Sequence, residues 1–178
     1  DLHLCDRRQR QMCIRDSYLT VIRGTPTMIQ LLIMNFVIFG AVSINKIIVG
    51  GLAFGINSGA YVAEIVRSGI MSIDQGQTEA GRSLGLNFTQ TMRLIIIPQA
   101  FKNVLPALVN EFIVLIKETS IIGYIGMMDL TKGAMLIQSR TYNAFMPLLA
   151  AAAIYLIVVM VLTFFMNKLE RRLRTSER

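Results

Sequence analysis

Apolar residues occur along this chain in four long blocks separated by polar segments, rather than in the short alternation typical of soluble strands. The blocks cover approximately residues 26–42, 47–66, 104–123 and 145–166. A membrane-spanning helix needs about 20 mainly apolar residues, and its backbone must satisfy its own hydrogen bonds in lipid. The pattern therefore predicts an all-α, multi-pass transmembrane bundle. The first block is short and needs flanking residues to complete its crossing.

The orientation of these blocks follows from where the basic residues lie. Lys and Arg concentrate on the cytoplasmic side of membrane proteins. Here they cluster after the last block and in or beside the polar segment 67–102, namely at Lys168, Arg171, Arg172, Arg174, Arg178, Arg67, Arg82, Arg93 and Lys102. We therefore predict that the segment 67–102 and the C-terminus are cytoplasmic. Arg23 and Pro26 then mark the inner start of the first span, and residues 43–46 lie outside.

Composition narrows the class of protein further. Of the 178 residues, 53% are hydrophobic, and the four blocks leave room for a single membrane domain, which we place at residues 18–178. The net charge of +7 is compatible with nucleic-acid binding. However, no basic surface interleaved with aromatic residues is present for stacking bases. We predict membrane lipid, and no nucleic acid, as a partner.

Residues 1–17 differ in character from the rest of the chain. They contain the only histidine, His3, and both cysteines, Cys5 and Cys13. The membrane body therefore has no Cys/His metal set and no disulfide framework. The leader lacks an apolar core, so it is not a signal peptide. We assign no function to it and expect it to be sequence foreign to the domain.

Motifs for catalysis are missing from the sequence. There is no Gly-x-x-x-x-Gly-Lys-Ser/Thr loop to hold the phosphates of ATP. No Ser-His-Asp, Cys-His or His-Glu-x-x-His set is present outside the leader. We predict no catalytic residue, no metal site and no cofactor on this chain, which is therefore not an enzyme by itself.

Two short helices are predicted within the segment 67–102. Asp74 followed by Gln77 fits a capping box, so that the first helix begins at Gln75. Gly85 is placed to end this helix in a left-handed cap. Two short helices joined at Gly85 would form a compact, rigid knob rather than a loose loop.

The second helix of this segment begins with another capping box. Asn87 and Gln90 have the required spacing, and the helix runs toward Ile95. In the first helix, Glu79 and Arg82 are three residues apart, a spacing that lets the two side chains face each other.

Residues 79–98, EAGRSLGLNFTQTMRLIIIP, resemble the EAA loop of permease subunits in ATP-binding-cassette (ABC) importers. Other short motifs are similar to the polar-amino-acid branch of that family and follow its order: Arg23-Gly24-Thr25-Pro26, Asn57-Ser58-Gly59-Ala60-Tyr61, Pro98-Gln99-Ala100-Phe101 and Asn110-Glu111-Phe112. The resemblance covers roughly residues 18–174. Family members carry a further spanning helix before the first motif. Its absence here suggests a truncated chain.

The resemblance implies a type I ABC importer permease-like fold in the bacterial inner membrane. It implies a second permease subunit, identical or homologous, and ATPase subunits on the cytoplasmic side that hold ATP and Mg. It also implies a periplasmic or lipid-anchored substrate-binding protein outside. The first helix, residues 75–84, becomes the coupling helix that docks on the ATPase. The coupling residues are then Gln75, Gly76, Glu79, Ala80, Gly81, Arg82, Gly85 and Pro98.

One coupling residue departs from the family pattern. Gly81 stands where the family usually has a second alanine. Glycine lowers helix propensity by up to about 1 kcal/mol relative to alanine. We expect this to weaken the helix without changing its role.

Polar residues inside the second and third blocks are candidates for the translocation path. Polar and ionisable groups at membrane depth usually face a cavity or one another. The candidates are Asn57, Ser58, Tyr61, Asn110 and Glu111. Hydrogen bonding between helices explains Asn57, Ser58 and Tyr61 equally well, and pairing with another helix explains Glu111. For Lys117 and Glu118, a position at the outer headgroup boundary is the simpler interpretation.

Small residues recur every four positions along the second block, at Gly51, Gly55 and Gly59. Small residues at this spacing let a neighbouring backbone approach closely. We predict a helix-packing face here.

The sequence as a whole indicates a permease subunit of an ABC importer for polar amino acids, coupled to a separate ATPase through residues 79–98. Three alternatives stay open. The chain is a permease for another small solute, a membrane-embedded hydrolase, or a truncated fragment of a permease without function.

Overall fold

The computed structural model describes residues 17–175, with side chains as far as Lys168. Within this range the backbone forms helices and connecting turns without any strand, which confirms the prediction of an all-α chain. The helices are α1 (Ser17–Gly24), α2 (Thr27–Leu32) with a π-helical continuation (Ile33–Ile38), α3 (Lys46–Met71), α4 (Gln75–Ser83), α5 (Phe88–Thr91) with a π-helical continuation (Met92–Ile96), α6 (Ile97–Glu118) with a 3₁₀ continuation (Thr119–Ile125), α7 (Leu130–Thr141) and α8 (Phe145–Thr175). The leader, apart from Ser17, lies outside the described residues.

The first apolar block, residues 26–42, is helical only as far as Ile38, and a sharp bend precedes its helix. Helices α1 and α2 meet at an angle of 96°. Pro26 lies at the bend, where its ring fixes φ and removes a backbone donor. The Gln30 side chain holds the bend by donating to the main-chain oxygens of Ile22 and Thr25, at 2.6 and 3.1 Å.

Helices α3 and α6 run antiparallel and form the centre of the bundle. Both helices are longer than the apolar blocks that predicted them, residues 47–66 and 104–123. Gly69, near the end of α3, lies against Val104 near the start of α6. Gly50, near the start of α3, lies against Ile122 beyond the end of α6. The missing Cβ atoms at these two glycines allow the close approach.

Two helices in the described part of the chain are long and apolar enough to cross a membrane, judged by length and composition. They are Lys46–Met71 and Phe145–Lys168. The bent pair of α1 and α2 adds a third if it forms one span. Helix α6 carries four ionisable residues, Lys102, Glu111, Lys117 and Glu118, and is not in this set. The four-span topology therefore stays a prediction for α6.

A cluster of buried side chains lies where α2, α3 and the 3₁₀ segment meet. Leu31, Ala53, Phe54 and Ile125 form this cluster, and each is at most 6% exposed. By contrast, most apolar side chains of α8 are exposed to the surroundings of the chain. This is the arrangement expected of a helix that faces lipid or another subunit.

Candidate functional site

Helix α4 begins and ends close to where the sequence predicts. The Asp74 carboxylate accepts from the backbone N–H of Gly76 at 2.8 Å, so the helix is capped at its N-terminus. The predicted capping box with Gln77 is wrong, because the Gln77 side chain lies instead against Gln99, whose Nε2 donates to it at 3.4 Å.

Gly85 ends α4 in the predicted left-handed cap. Its φ is +80°, a region that favours glycine. The N–H of Leu86 donates to the carbonyl of Gly81 at 3.1 Å, and that of Gly85 to Arg82 at 2.9 Å. These two bonds are the Schellman pattern that satisfies the last carbonyls of a helix.

The capping box at the start of α5 is confirmed. Asn87 Oδ1 accepts from the Gln90 N–H at 2.9 Å, and Gln90 Oε1 accepts from the Asn87 N–H at 3.0 Å. Helices α4 and α5 thus form a compact knob, residues 75–91, whose ends are fixed by local hydrogen bonds.

The knob has an exposed side and a buried side. Glu79, Ala80 and Arg82 are exposed, as predicted for residues that contact a partner. Their spacing lets the two side chains face each other, but no ion pair joins Glu79 and Arg82 in the described part of the chain. Gly81 is buried against Thr91 and Ile95. Gly81 therefore lies in a packed contact, whereas the sequence analysis predicted only that it weakens the helix.

The candidate path residues of α3 make contacts with neighbouring helices. Asn57 is 3% exposed, and its Nδ2 donates to Gln30 Oε1 at 3.1 Å. The Ser58 hydroxyl donates to Glu111 Oε1 on α6 at 3.1 Å. The Tyr61 ring lies under the Arg23 guanidinium, with Cζ 5.2 Å from the ring centroid.

These contacts separate the candidates into two groups. Asn57 is enclosed and used in helix packing. Ser58, Tyr61 and Glu111 are half-buried, and Asn110 is exposed, so these four have access to the surroundings. The interhelical bonds expected as an alternative are present, and a role of these residues in the path stays a prediction.

The position of α2 corrects the predicted topology. The Thr27 hydroxyl donates to Glu118 Oε2 at 3.4 Å, at the end of α6 that lies away from the segment 67–102. Pro26 was predicted on the same side as that segment. The 96° bend is the physical reason for the difference, because it lets α2 begin beside the far end of α6.

Gln30 and Thr27 were missed by the sequence analysis. Gln30 stands in an apolar block, and a polar side chain in that setting needs hydrogen-bond partners. This signal could have identified Gln30, but it does not identify Asn57 as its partner.

The predicted packing face of α3 has no neighbour within the described chain. Gly51, Gly55 and Gly59 are exposed, and a Cβ atom on any of them meets nothing within 4 Å. Packing of this face against another helix stays a prediction. Between residues 17 and 168, no group of three His, Cys, Asp or Glu side chains is placed to hold a metal ion.

Comparison with known proteins identifies the family. Residues 14–175 match the family described as the binding-protein-dependent transport system inner membrane component. A Rickettsia bellii protein that bears the name of the glutamine transport system permease protein GlnP is 43% identical over 164 residues, 90% of this chain and 75% of that protein. The arginine transport system permease protein ArtQ of Bacillus subtilis is 41% identical over 166 residues, 92% of this chain and 76% of ArtQ.

Solved structures agree with this assignment. A crystal structure of an amino acid ABC transporter with histidines is 49% identical, with a TM-score of 0.82 over 88% of this chain and 74% of that one. The MetNI methionine ABC transporter, in an inward-facing conformation, has a TM-score of 0.76 at 19% identity and shows the shared fold alone. The predicted type I ABC permease fold is confirmed. This chain belongs to the family of binding-protein-dependent transport system inner membrane components.

Proposed function

We propose that this chain is the permease subunit of an ABC importer for polar amino acids. It acts together with separate ATPase subunits, a second permease subunit and a substrate-binding protein. The relatives named for glutamine and arginine transport support an amino acid cargo. The observation that carries the proposal is the knob of residues 75–91, which presents Glu79, Ala80 and Arg82 on a surface fixed by caps at both ends of α4.

The knob is suited to mechanical coupling because its shape depends on its own hydrogen bonds. An ATPase bound to the exposed side of α4 can move it as one body, whereas a floppy loop would absorb the motion. ATP and Mg are held by the ATPase, and hydrolysis belongs to the whole complex. On this proposal, the knob and the basic C-terminus lie on the cytoplasmic side of the inner membrane.

The translocation path on this proposal runs along the polar faces of α3 and α6. Ser58 and Glu111 are joined by a hydrogen bond there, and neither is fully buried. Asn110, which directly precedes Glu111 on α6, is exposed. A carboxylate and hydroxyl in this setting provide acceptors and a donor for the charged and polar groups of an amino acid.

The test is co-purification with the ATPase from membranes. The Glu79→Lys, Gly85→Leu double variant reverses a charge on the exposed side and forces a side chain into the left-handed cap. We expect it to insert but to lose the ATPase that the wild type retains. Arg140→Glu, at the end of α7, also reverses an exposed charge and is the control that keeps the ATPase. Retention by the double variant would contradict the proposal.

Sidedness is tested separately by labelling. In a chain with Cys5 and Cys13 replaced by serine, Ala80→Cys places the single thiol on the exposed side of α4, and an impermeant reagent should reach it only from the cytoplasmic face. Labelling from the outside would contradict the proposed orientation.

A further inference from the structure

The buried side of α4 makes a contact too close for any side chain at position 81. A Cβ atom on Gly81 would lie 2.7 Å from Thr91 Cγ2, 2.9 Å from Thr91 Oγ1 and 3.2 Å from Ile95 Cδ1. Carbon atoms pack at about 3.5–4.0 Å. Alanine, which the family usually has at this position, would in this chain meet Thr91 and push α4 away from α5, although it favours the helix itself.

Thr91 lies where the knob joins the bundle. It is the last residue of α5, is 1% exposed, and is followed directly by the π-helical segment and by α6. Ile95 lies within that π-helical segment. A force on α4 therefore passes through Gly81 into the beginning of the helix that carries Glu111.

Two of the other links between α4 and the membrane helices are less suited to transmitting force. The chain connection at residues 72–74 is a turn that can bend. The side-chain hydrogen bond between Gln77 and Gln99 is 3.4 Å long and exposed. Close-packed contacts, by contrast, have low compressibility and transmit displacement.

We propose that the contact of Gly81 with Thr91 and Ile95 is the joint through which movement of α4 reaches α6. Gly81 is a positioning residue, because the absence of its Cβ atom sets the tilt of α4. This inference rests on the proposed coupling function. It makes a separate claim, since Gly81 faces away from the exposed side to which the ATPase would bind.

The Thr91 side chain acts in this joint through its volume. Its Oγ1 is buried and has no hydrogen-bond partner in the described part of the chain. Valine has nearly the same shape without the hydroxyl, whereas alanine removes both atoms that approach Gly81. Thr91→Val is therefore the conservative variant, and Thr91→Ala is the one that opens the joint.

The experiment measures solute uptake and ATP hydrolysis together, with the complete importer reconstituted in lipid vesicles. Gly81→Ala should keep its ATPase but transport roughly tenfold less solute per ATP, since overpacking displaces the helices in contact. Adding Thr91→Ala should restore the ratio to within about threefold of wild type, because neighbouring changes compensate each other. The control is Gly133→Ala in α7, where an added Cβ meets nothing within 4 Å, and the ratio should not change.

Several results would overturn the inference. An unchanged ratio in Gly81→Ala, or a double variant no better than the single one, excludes the joint. If Gly81→Ala does not reach the membrane, Thr91→Ala carries the test, since it adds no atom. It should hydrolyse ATP with poor uptake, and Thr91→Val should recover the uptake; full coupling in Thr91→Ala excludes the joint. A wild-type complex that retains no ATPase overturns the proposed function, and this inference with it.

Discussion

The knob of residues 75–91 and the contacts between the membrane helices are built in opposite ways. In the knob, side-chain caps join residues two or three positions apart. Between the helices, hydrogen bonds join residues 27, 53 and 91 positions apart. A local cap forms with its own turn, whereas a distant bond forms only when the chain between its ends has been ordered. The knob is therefore shaped by its own sequence, and the bundle by the docking of its helices.

This difference matters for a protein that changes its conformation. Under the proposed function, the bundle must exchange between arrangements while the knob keeps its shape. A bundle whose polar contacts are few can exchange partners at modest cost. A knob fixed by its own caps keeps the geometry of its exposed side throughout.

The largest effect on folding is expected where the two central helices touch. A Cβ atom at Gly69 would overlap Val104 Cγ2. Gly69→Ala should cost about 1–3 kcal/mol of stability by overpacking and should lower the amount of folded chain in membranes several-fold. Gly55→Ala, on the same helix but facing open space, should leave the stability of the isolated chain unchanged. Equal yields of the two variants would show that the α3–α6 contact does not hold the bundle together.

The next effect concerns the bond between α2 and α3. Gln30→Leu leaves the buried Asn57 amide without its partner, at a cost of about 1–3 kcal/mol. Asn57→Leu removes the same bond from Gln30, which is half-buried and keeps its bonds to Ile22 and Thr25. The double variant should cost less than the sum of the single variants, because both single variants lose the same Asn57–Gln30 bond. Thermal unfolding of the purified chain measures all three. Strictly additive costs would contradict a direct coupling of these two residues.

A smaller and local effect is expected in the knob. Asn87→Ala removes the capping box of α5 and should cost about 1 kcal/mol. Hydrogen exchange should accelerate at the start of α5 and stay unchanged in the middle of α3. Exchange that rises equally in both places would show that the knob and the bundle unfold together, against the comparison made above.

The smallest effect on stability is expected at Glu111. Glu111→Gln keeps an oxygen that accepts from the Ser58 hydroxyl, so the stability cost should be below about 1 kcal/mol. Uptake kinetics should nevertheless change while the complex still assembles, since the side chain loses its charge. Unchanged kinetics would leave the Ser58–Glu111 bond as helix packing and remove both residues from the path.

The same contrast decides how much was predictable from the sequence. The left-handed cap at Gly85 and the capping box from Asn87 to Gln90 were predicted correctly, because each depends on residues a few positions apart. Of the capping box predicted for Asp74 and Gln77, only the cap by the Asp74 carboxylate is present. The Gln77 side chain contacts Gln99 instead. That second contact spans 22 positions and carries no local signal.

Features that depend on docking were not predictable in this way. The apolar block at residues 26–42 carried no sign that its helix makes an angle of 96° with α1 and begins beside Glu118. Gly81 was interpreted through helix propensity alone, since nothing in the sequence places Thr91 against it. The packing face predicted at Gly51 stays a prediction, since nothing in the described part of the chain lies within 4 Å of a Cβ atom placed there.

The π-helical segment Met92–Ile96 has a consequence for the register of α6. A π-helical turn holds one more residue than an α-helical turn, and each residue of an α-helix turns the chain by about 100°. The extra residue therefore determines which side of α6 faces α3. Deleting one residue from this segment would leave every helix intact but rotate Glu111 away from Ser58. The length of the segment Met92–Ile96 thus determines the direction in which the polar side of α6 faces.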